Sequence, residues 1–137
     1  MSANERGDSS KAQPLTRRVI GCAMQVSKLL RPGFLESVYE NALCIELEAE
    51  GIAFERQKAL TVHYRGRAVG SFVADLLVER KLLVELKAVR SLHDEHVAQV
   101  INYLQATRLQ VGLLLNFGTP RLGYRRVVWQ YDEHNPI

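Results

Sequence analysis

Apolar residues recur at one spacing, then another, along this chain, and the changes mark its elements. From Thr16 onward Val19, Ile20, Ala23, Val26 and Leu30 return every three or four positions. This predicts an amphipathic helix that Thr16 can cap and Pro32-Gly33 stops. A second helix is expected from about Phe34 to Glu50, with Leu35, Val38, Tyr39, Ala42, Leu43 and Leu47 as its apolar positions. Gly51 then stands where a C′ glycine belongs. The period next falls from 3.6 to 2. Ile52–Gln57 and Leu60–Tyr64 read as strand, Arg65-Gly66-Arg67 as a turn, and Ala68–Val78 and Leu82–Val89 as strands joined by Glu79-Arg80-Lys81. His93–Thr107 is helical again, through Val97, Val100, Ile101 and Leu104. Val111–Leu115 is wholly apolar, as in a central strand covered on both faces, and Tyr124–Trp129 is a last strand. The order ααβββαββ predicts an α/β (α+β) domain, a mixed sheet with helices packed on it. That domain is expected over residues 15–130, between a disordered tail at 1–14 and a polar tail at 131–137.

Composition narrows the class without naming a partner. The chain has 137 residues, 47% hydrophobic and 24% charged, which suits one globular domain and excludes collagen, coiled coil and disorder. No apolar run reaches the ~18 residues of a membrane helix, so no membrane partner is expected. The N-terminal residues carry Glu5 and Asp8 and no apolar centre, unlike a secretory signal. Cys22 and Cys44 sit inside helical patterns and read as reduced, buried thiols of a cytoplasmic protein. With 18 Lys and Arg against 15 Asp and Glu, the net charge of +3 permits a nucleic-acid ligand without demanding one.

The chemistry concentrates in two neighbouring strands. A hairpin centred on Arg80 sets Asp75 opposite Glu85, with Cβ atoms about 5 Å apart. Lys87 projects from the same strand face as Glu85. Leu82, Leu83, Val84 and Leu86 surround these charges, so unpaired ones would cost several kcal/mol, and the opposed carboxylates repel. A divalent cation relieves both problems. Two carboxylates with few other ligands suit Mg²⁺, which keeps waters and takes further ligands from substrate phosphate. Lys87 beside it can orient an attacking water or stabilise charge developing on phosphorus. The plainer reading is a structural Lys–Glu pair with Asp75 exposed.

The helices add polar groups beside their apolar stripes. Glu36, Tyr39 and Glu40 share a face of the second helix, and His96, Gln99 and Tyr103 a face of the third. The run His93-Asp94-Glu95-His96 spaces its histidines three apart, whereas H-E-x-x-H needs four, so a separate zinc site is not expected. No phosphate-binding glycine loop and no nucleophile elbow is present. The arginines at 65, 67, 90, 108, 121, 125 and 126 fall mostly in turns or at element ends, where a phosphate-binding rim and an ordinary solvated surface are both open readings.

Gly33-Phe34-Leu35-Glu36-Ser37-Val38-Tyr39 carries the GxxExxY signature, and the chain from about Thr16 to Trp129 resembles the small bacterial GxxExxY proteins of the PD-(D/E)XK nuclease superfamily. Asp75 with Glu85-Leu86-Lys87 fits the D…(D/E)xK pattern, with Ala74 where the name has proline. Gln99 with Tyr103 resembles the Gln-x-x-x-Tyr helix motif, and Gly112–Gly118 is a further similar stretch. The resemblance implies a restriction-endonuclease-like αβββαβ core preceded by an extra N-terminal helix. It implies Asp75 and Glu85 as ligands of Mg²⁺ or Mn²⁺, with the Leu86 carbonyl and Glu36 as further ones, and Lys87 as the catalytic lysine. Gln99, Tyr103 and Tyr39 would position substrate. The implied activity is metal-dependent hydrolysis of nucleic acid, DNA before RNA, without strong sequence specificity. A homodimer would let two sites act on one duplex. The alternative is a non-catalytic nucleic-acid-binding or assembly module that keeps the nuclease fold.

Overall fold

Two helices lead the chain, α1 (Leu15–Leu30) and α2 (Glu36–Ala49). They are followed by β1 (Phe54–Tyr64), β2 (Arg67–Val78) and β3 (Leu82–Lys87). Helix α3 (Asp94–Thr107) then crosses to β4 (Val111–Asn116), and β5 (Gly123–Val128) completes the sheet. The structure is a computed structural model that describes residues 13–131, 133 and 137. Most of the expected N-terminal tail, and four positions of the expected C-terminal one, therefore lie outside the described residues.

Spatial order follows chain order, β1-β2-β3-β4-β5, antiparallel except between β3 and β4. That one parallel pair needs a crossover, which α3 supplies. Each face of the sheet buries its own cluster. Leu76, Val78, Leu82, Val84, Leu86, Val111, Leu113 and Leu115 pack against Val19, Ala23, Tyr39, Leu43 and Leu47 of α1 and α2. Leu83, Leu114 and Val127 pack against Val100 and Leu104 of α3. Strands β3 and β4 are apolar because both their faces are covered. This is the mixed, helix-flanked sheet that the sequence predicts.

The element ends show what the pattern misses. Helix α2 stops as expected. Gly51 has φ +68, its N–H donates to the Glu48 carbonyl at 3.0 Å, and the Ile52 N–H donates to the Leu47 carbonyl at 2.9 Å. Thr16, by contrast, does not cap α1. The helix begins at Leu15 without a capping side chain, and the buried Thr16 hydroxyl donates to the carbonyl of Ile137. Ile137 packs into the α1/α2 cluster, so the C-terminal segment is not polar tail throughout. The expected break between Gln57 and Leu60 is absent, since β1 runs through it with Gln57 at φ +48. Strand β3 ends at Lys87 rather than Val89, because beyond it the backbone pairs with a side chain.

Candidate active site

The hairpin that carries the acids turns where the sequence centres it. Leu76, Leu77 and Val78 of β2 lie opposite Val84, Leu83 and Leu82 of β3. The turn takes positive φ at Glu79 and Arg80, which costs about 1 kcal/mol or more for each non-glycine residue. Ala53 offsets part of that cost: it accepts the Glu79 N–H at 2.9 Å and donates its own N–H to the Glu79 carboxylate at 3.2 Å.

Beyond Leu76 and Val84 side chains replace the backbone ladder. The Asp75 N–H donates to Glu85 Oε2 at 3.2 Å, and the Leu86 N–H donates to Asp75 Oδ2 at 2.8 Å. Each acid thus binds the backbone of the opposite strand, which draws the two carboxyl groups together. Strand β2 also changes faces here. Leu76 and Val78 pack toward α1 and α2, whereas Phe72 and Ala74 pack toward α3. Gln57, opposite Asp75 between the Arg56–Leu76 and Lys58–Ala74 pairs, supplies the matching irregularity in β1. Its amide reaches Asp75 Oδ1 at 3.5 Å.

The pair crowds two carboxyl groups that cannot both ionise freely. Glu85 is 7% exposed, and burial, then hydrogen bonding and repulsion with Asp75, push its carboxyl up to about 8. Lys87 opposes that shift. It lies half-buried on the Glu85 side of β3 and is fixed through its backbone, whose carbonyl accepts the Phe117 N–H at 2.8 Å. Phe117 in turn stacks on Tyr39, with ring centroids 4.8 Å apart. Tyr39 lies in the core, its hydroxyl donating to the Arg31 carbonyl at 2.6 Å and accepting the Phe34 N–H at 3.1 Å. The tyrosine of GxxExxY therefore clamps the α1–α2 loop and braces the strand end that bears Lys87.

The Asn116-Phe117-Gly118 stretch has a matching explanation. The buried Asn116 amide accepts the N–H groups of Val89 and Gly118 and donates to the Val89 carbonyl, each at 3.0 Å. A Cβ at Gly118 would run into the backbone of Val89, so only glycine fits that approach. The loop leaving Lys87 is held by these contacts.

The remaining expected residues are placed unequally. Tyr103 of α3 stacks on Phe72 at 3.7 Å between centroids. Burial, followed by the charges of Glu85 and Asp75, raises its phenol above the usual value, so its hydroxyl stays protonated near the acids. Gln99, one turn earlier, is exposed. Leu86 is buried beside Glu85. Glu36 is exposed in the first turn of α2, where the helix dipole favours it. The acid of α2 that is bonded to the strands is Glu40, one turn later. Its carboxylate accepts from Arg56 at 2.9 Å and from the Gln57 amide at 2.7 Å, which links α2 to Asp75. Sequence reasoning put Glu40 on this face but gave no role to it, Arg56 or Gln57. The available signal was an acid on the inner side of α2 beside an Arg-Gln pair in the next strand.

The donor set fits a divalent cation with hard oxygen ligands. Asp75 and Glu85 bring two carboxyl groups together, and neutralising them removes the repulsion that holds Glu85 protonated. Among the described residues no group of three or more His, Cys, Asp or Glu converges, so water and substrate would complete such a coordination shell.

The fold and the sequence both have counterparts among known proteins. The crystal structure of SSO0001 superposes with a TM-score of 0.55 at 17% identity, over 72% of this chain and 52% of the other. This chain thus spans about half the length of that one, and the likeness supports a restriction-endonuclease-like fold. No curated protein matches significantly. The profile of the PD-(D/E)XK nuclease superfamily matches residues 13–127, which include α1, α2, the acid pair, α3 and nearly all of β5. A match over that much of the sequence makes the chain a member of the PD-(D/E)XK nuclease superfamily.

Proposed function

We propose that this protein is a Mg²⁺- or Mn²⁺-dependent nuclease that hydrolyses phosphodiester bonds, in DNA first, without strong sequence specificity. The narrower resemblance to the GxxExxY proteins belongs to the same reading. The observation that carries it is the strand crossing where Asp75 and Glu85 exchange backbone hydrogen bonds and crowd their carboxyl groups beside Lys87. A divalent ion held by Asp75 and Glu85, with the Leu86 carbonyl as a further donor, would supply Lewis acidity and an activated water.

The chain's own groups do the rest. The Lys87 ammonium orients the attacking water and stabilises charge on the phosphate oxygens, from a backbone fixed by Phe117. The Tyr103 hydroxyl donates to a phosphate oxygen, and Gln99, one turn away at the surface, extends the contact along the strand. Glu40 acts at one remove by holding Gln57 against Asp75. Glu36 we assign to the outer edge of the site, and Tyr39 to its scaffold. The reducing state of Cys22 and Cys44, both buried and free, agrees with a cytoplasmic setting. No described helix is long and apolar enough to cross a membrane. Pairing of two copies would bring two such sites to one duplex.

The test is a cleavage panel of single-stranded, duplex and branched DNA and of RNA, with Mg²⁺, Mn²⁺ or EDTA. Cleavage with either metal and none with EDTA is expected, with at least a 100-fold loss in Lys87→Ala. Equal cutting by parent and Lys87→Ala, or none on any substrate, would overturn the assignment.

A further inference from the structure

The sheet face opposite Glu85 and Lys87 carries a basic groove. Two adjoining cavities run along α1 beside the edge strand β5 and share Met24. One, of about 440 Å³, opens between Lys28 and Arg31 at the end of α1 and Arg121 in the β4–β5 loop. The other, of about 640 Å³, lies among Arg17, Tyr124, Arg126 and Tyr131. No Asp or Glu side chain among the described residues lines either cavity. The ion pairs among those residues are Arg56–Glu40 and Lys58–Glu55, so none of the groove's five cations is paired within that set. Arg17 also borders a cleft containing Glu46 and Glu50, which leaves Lys28, Arg31, Arg121 and Arg126 as the main cations.

Strand alternation fixes which face this is. Val127 packs toward α3, so Tyr124 and Arg126 point to the α1 side. Leu82, Val84 and Leu86 pack toward α1 and α2, so Glu85 and Lys87 point the other way. The groove therefore lies apart from the acid pair. It also offers flat surfaces. Tyr124 is 45% exposed, and the Arg126 guanidinium lies 4.7 Å over the Tyr131 ring, both of them lining the larger cavity.

We propose that this groove is a second nucleic-acid site, which grips the phosphates and stacks the bases of a single strand. Cations beside an exposed tyrosine ring suit that ligand because every base has a π-face and every nucleotide a charge. A duplex keeps its bases inside and its phosphates on a wide cylinder, so it cannot reach Tyr124 in a cleft. Along α1 the cations from Arg17 to Arg31 span about 20 Å, enough for several nucleotides. The proposal shares only its ligand class with the nuclease reading, and binding here requires neither metal nor cleavage.

Fluorescence anisotropy of a labelled oligothymidylate in EDTA tests it. The double variant Arg121→Glu/Arg126→Glu should bind at least 20-fold more weakly, with a log–log salt slope shallower by about 1.4. Tyr124→Ala should lose about tenfold. Arg125→Glu makes half that charge change on the other face of β5 and should stay within threefold of the parent. Melting temperatures within a few degrees of the parent establish that the variants are folded. The proposal is overturned if the folded double variant binds like the parent, or if Arg125→Glu weakens binding as much. It is also overturned if a matched duplex binds as tightly as the single strand, or if polyglutamate displaces the probe at equal charge concentration. Because nothing is cut in EDTA, failure here leaves the nuclease assignment standing, and failure of cleavage leaves this one standing.

Discussion

At the end of β4 the Asn116 amide stands in for a strand, accepting two backbone N–H groups and donating to one carbonyl. On the other side of β3, Asp75 and Glu85 take over the β2–β3 ladder in a similar way. The two devices share their geometry and differ in chemistry. An amide carries both donors and an acceptor, so Asn116 satisfies its neighbours and adds no charge. Carboxyl oxygens accept, so the acid pair satisfies backbone N–H groups while crowding two groups whose joint ionisation Lys87 only partly favours. The neutral device is complete within the chain. The charged device is left with binding capacity for something outside it, and that difference separates scaffold from site.

Exchanging the character of the two devices should separate activity from stability. Asp75→Asn should lower metal-dependent cleavage at least 100-fold while the melting temperature in EDTA holds or rises, because it removes the charge that opposes ionisation of Glu85. A fall of many degrees in that variant would mean that Asp75 serves as scaffold. Asn116→Ala should behave in the opposite manner. It strands two N–H groups and a carbonyl, at about 2–4 kcal/mol, and chemical denaturation should register this as a lower midpoint with unchanged slope. Cleavage at low temperature should persist once the protein is folded. Loss of cleavage without loss of stability would place Asn116 in the chemistry.

The charged device also predicts a pH dependence that the neutral one lacks. In the metal-free protein Glu85 titrates at about 8, above the 4.5 of an unperturbed carboxyl. Between those values the folded state holds a proton that the unfolded state has released, so stability falls as pH rises through that window. The effect is on the order of a few kcal/mol by linkage. Melting curves in EDTA from pH 5 to pH 8.5 should show the decline, and Asp75→Asn should flatten it. Adding Mg²⁺ should restore stability most at the upper end, where both carboxyls are ionised. A flat parent profile would break the link between crowding and charge.

Much of the hairpin and the sheet is legible in the sequence. The register that opposes Asp75 to Glu85 follows from turn length and strand period, which are local, and the structure keeps it as far as Leu76 and Val84. The stop at Gly51 and the covered strand at Val111–Asn116 were legible for the same reason. What stayed hidden depends on distant partners. Thr16 looks like a cap until Ile137 reaches it. Gln57 looks like the end of a strand, because nothing nearby in sequence reveals Glu40 waiting for its amide. Tyr39 looks like a residue of the site because it stands in a signature, yet its ring is spent on Phe117. A motif marks residues that matter together without saying which of them touches substrate.

The smallest expected effect is the one that best divides the acids of α2. Glu36 and Glu40 lie one turn apart on one side of the helix, and only the GxxExxY signature singles out Glu36. Glu40 is buried and bonded to Arg56 and Gln57, whereas Glu36 faces solvent. Glu40→Gln keeps the shape but weakens the grip on Arg56 and on the Gln57 amide, loosening the φ +48 position opposite Asp75. Its cleavage rate should fall about tenfold, mostly in kcat, with a modest drop in melting temperature. Glu36→Gln should change stability by no more than about 0.5 kcal/mol, as surface substitutions do, and cleavage by no more than about threefold, mostly in KM. If instead Glu36→Gln suffers the larger kcat loss at unchanged stability, Glu36 reaches the reacting phosphate when substrate is bound. The strand-bonded Glu40 would then belong with Asn116, on the side of the scaffold.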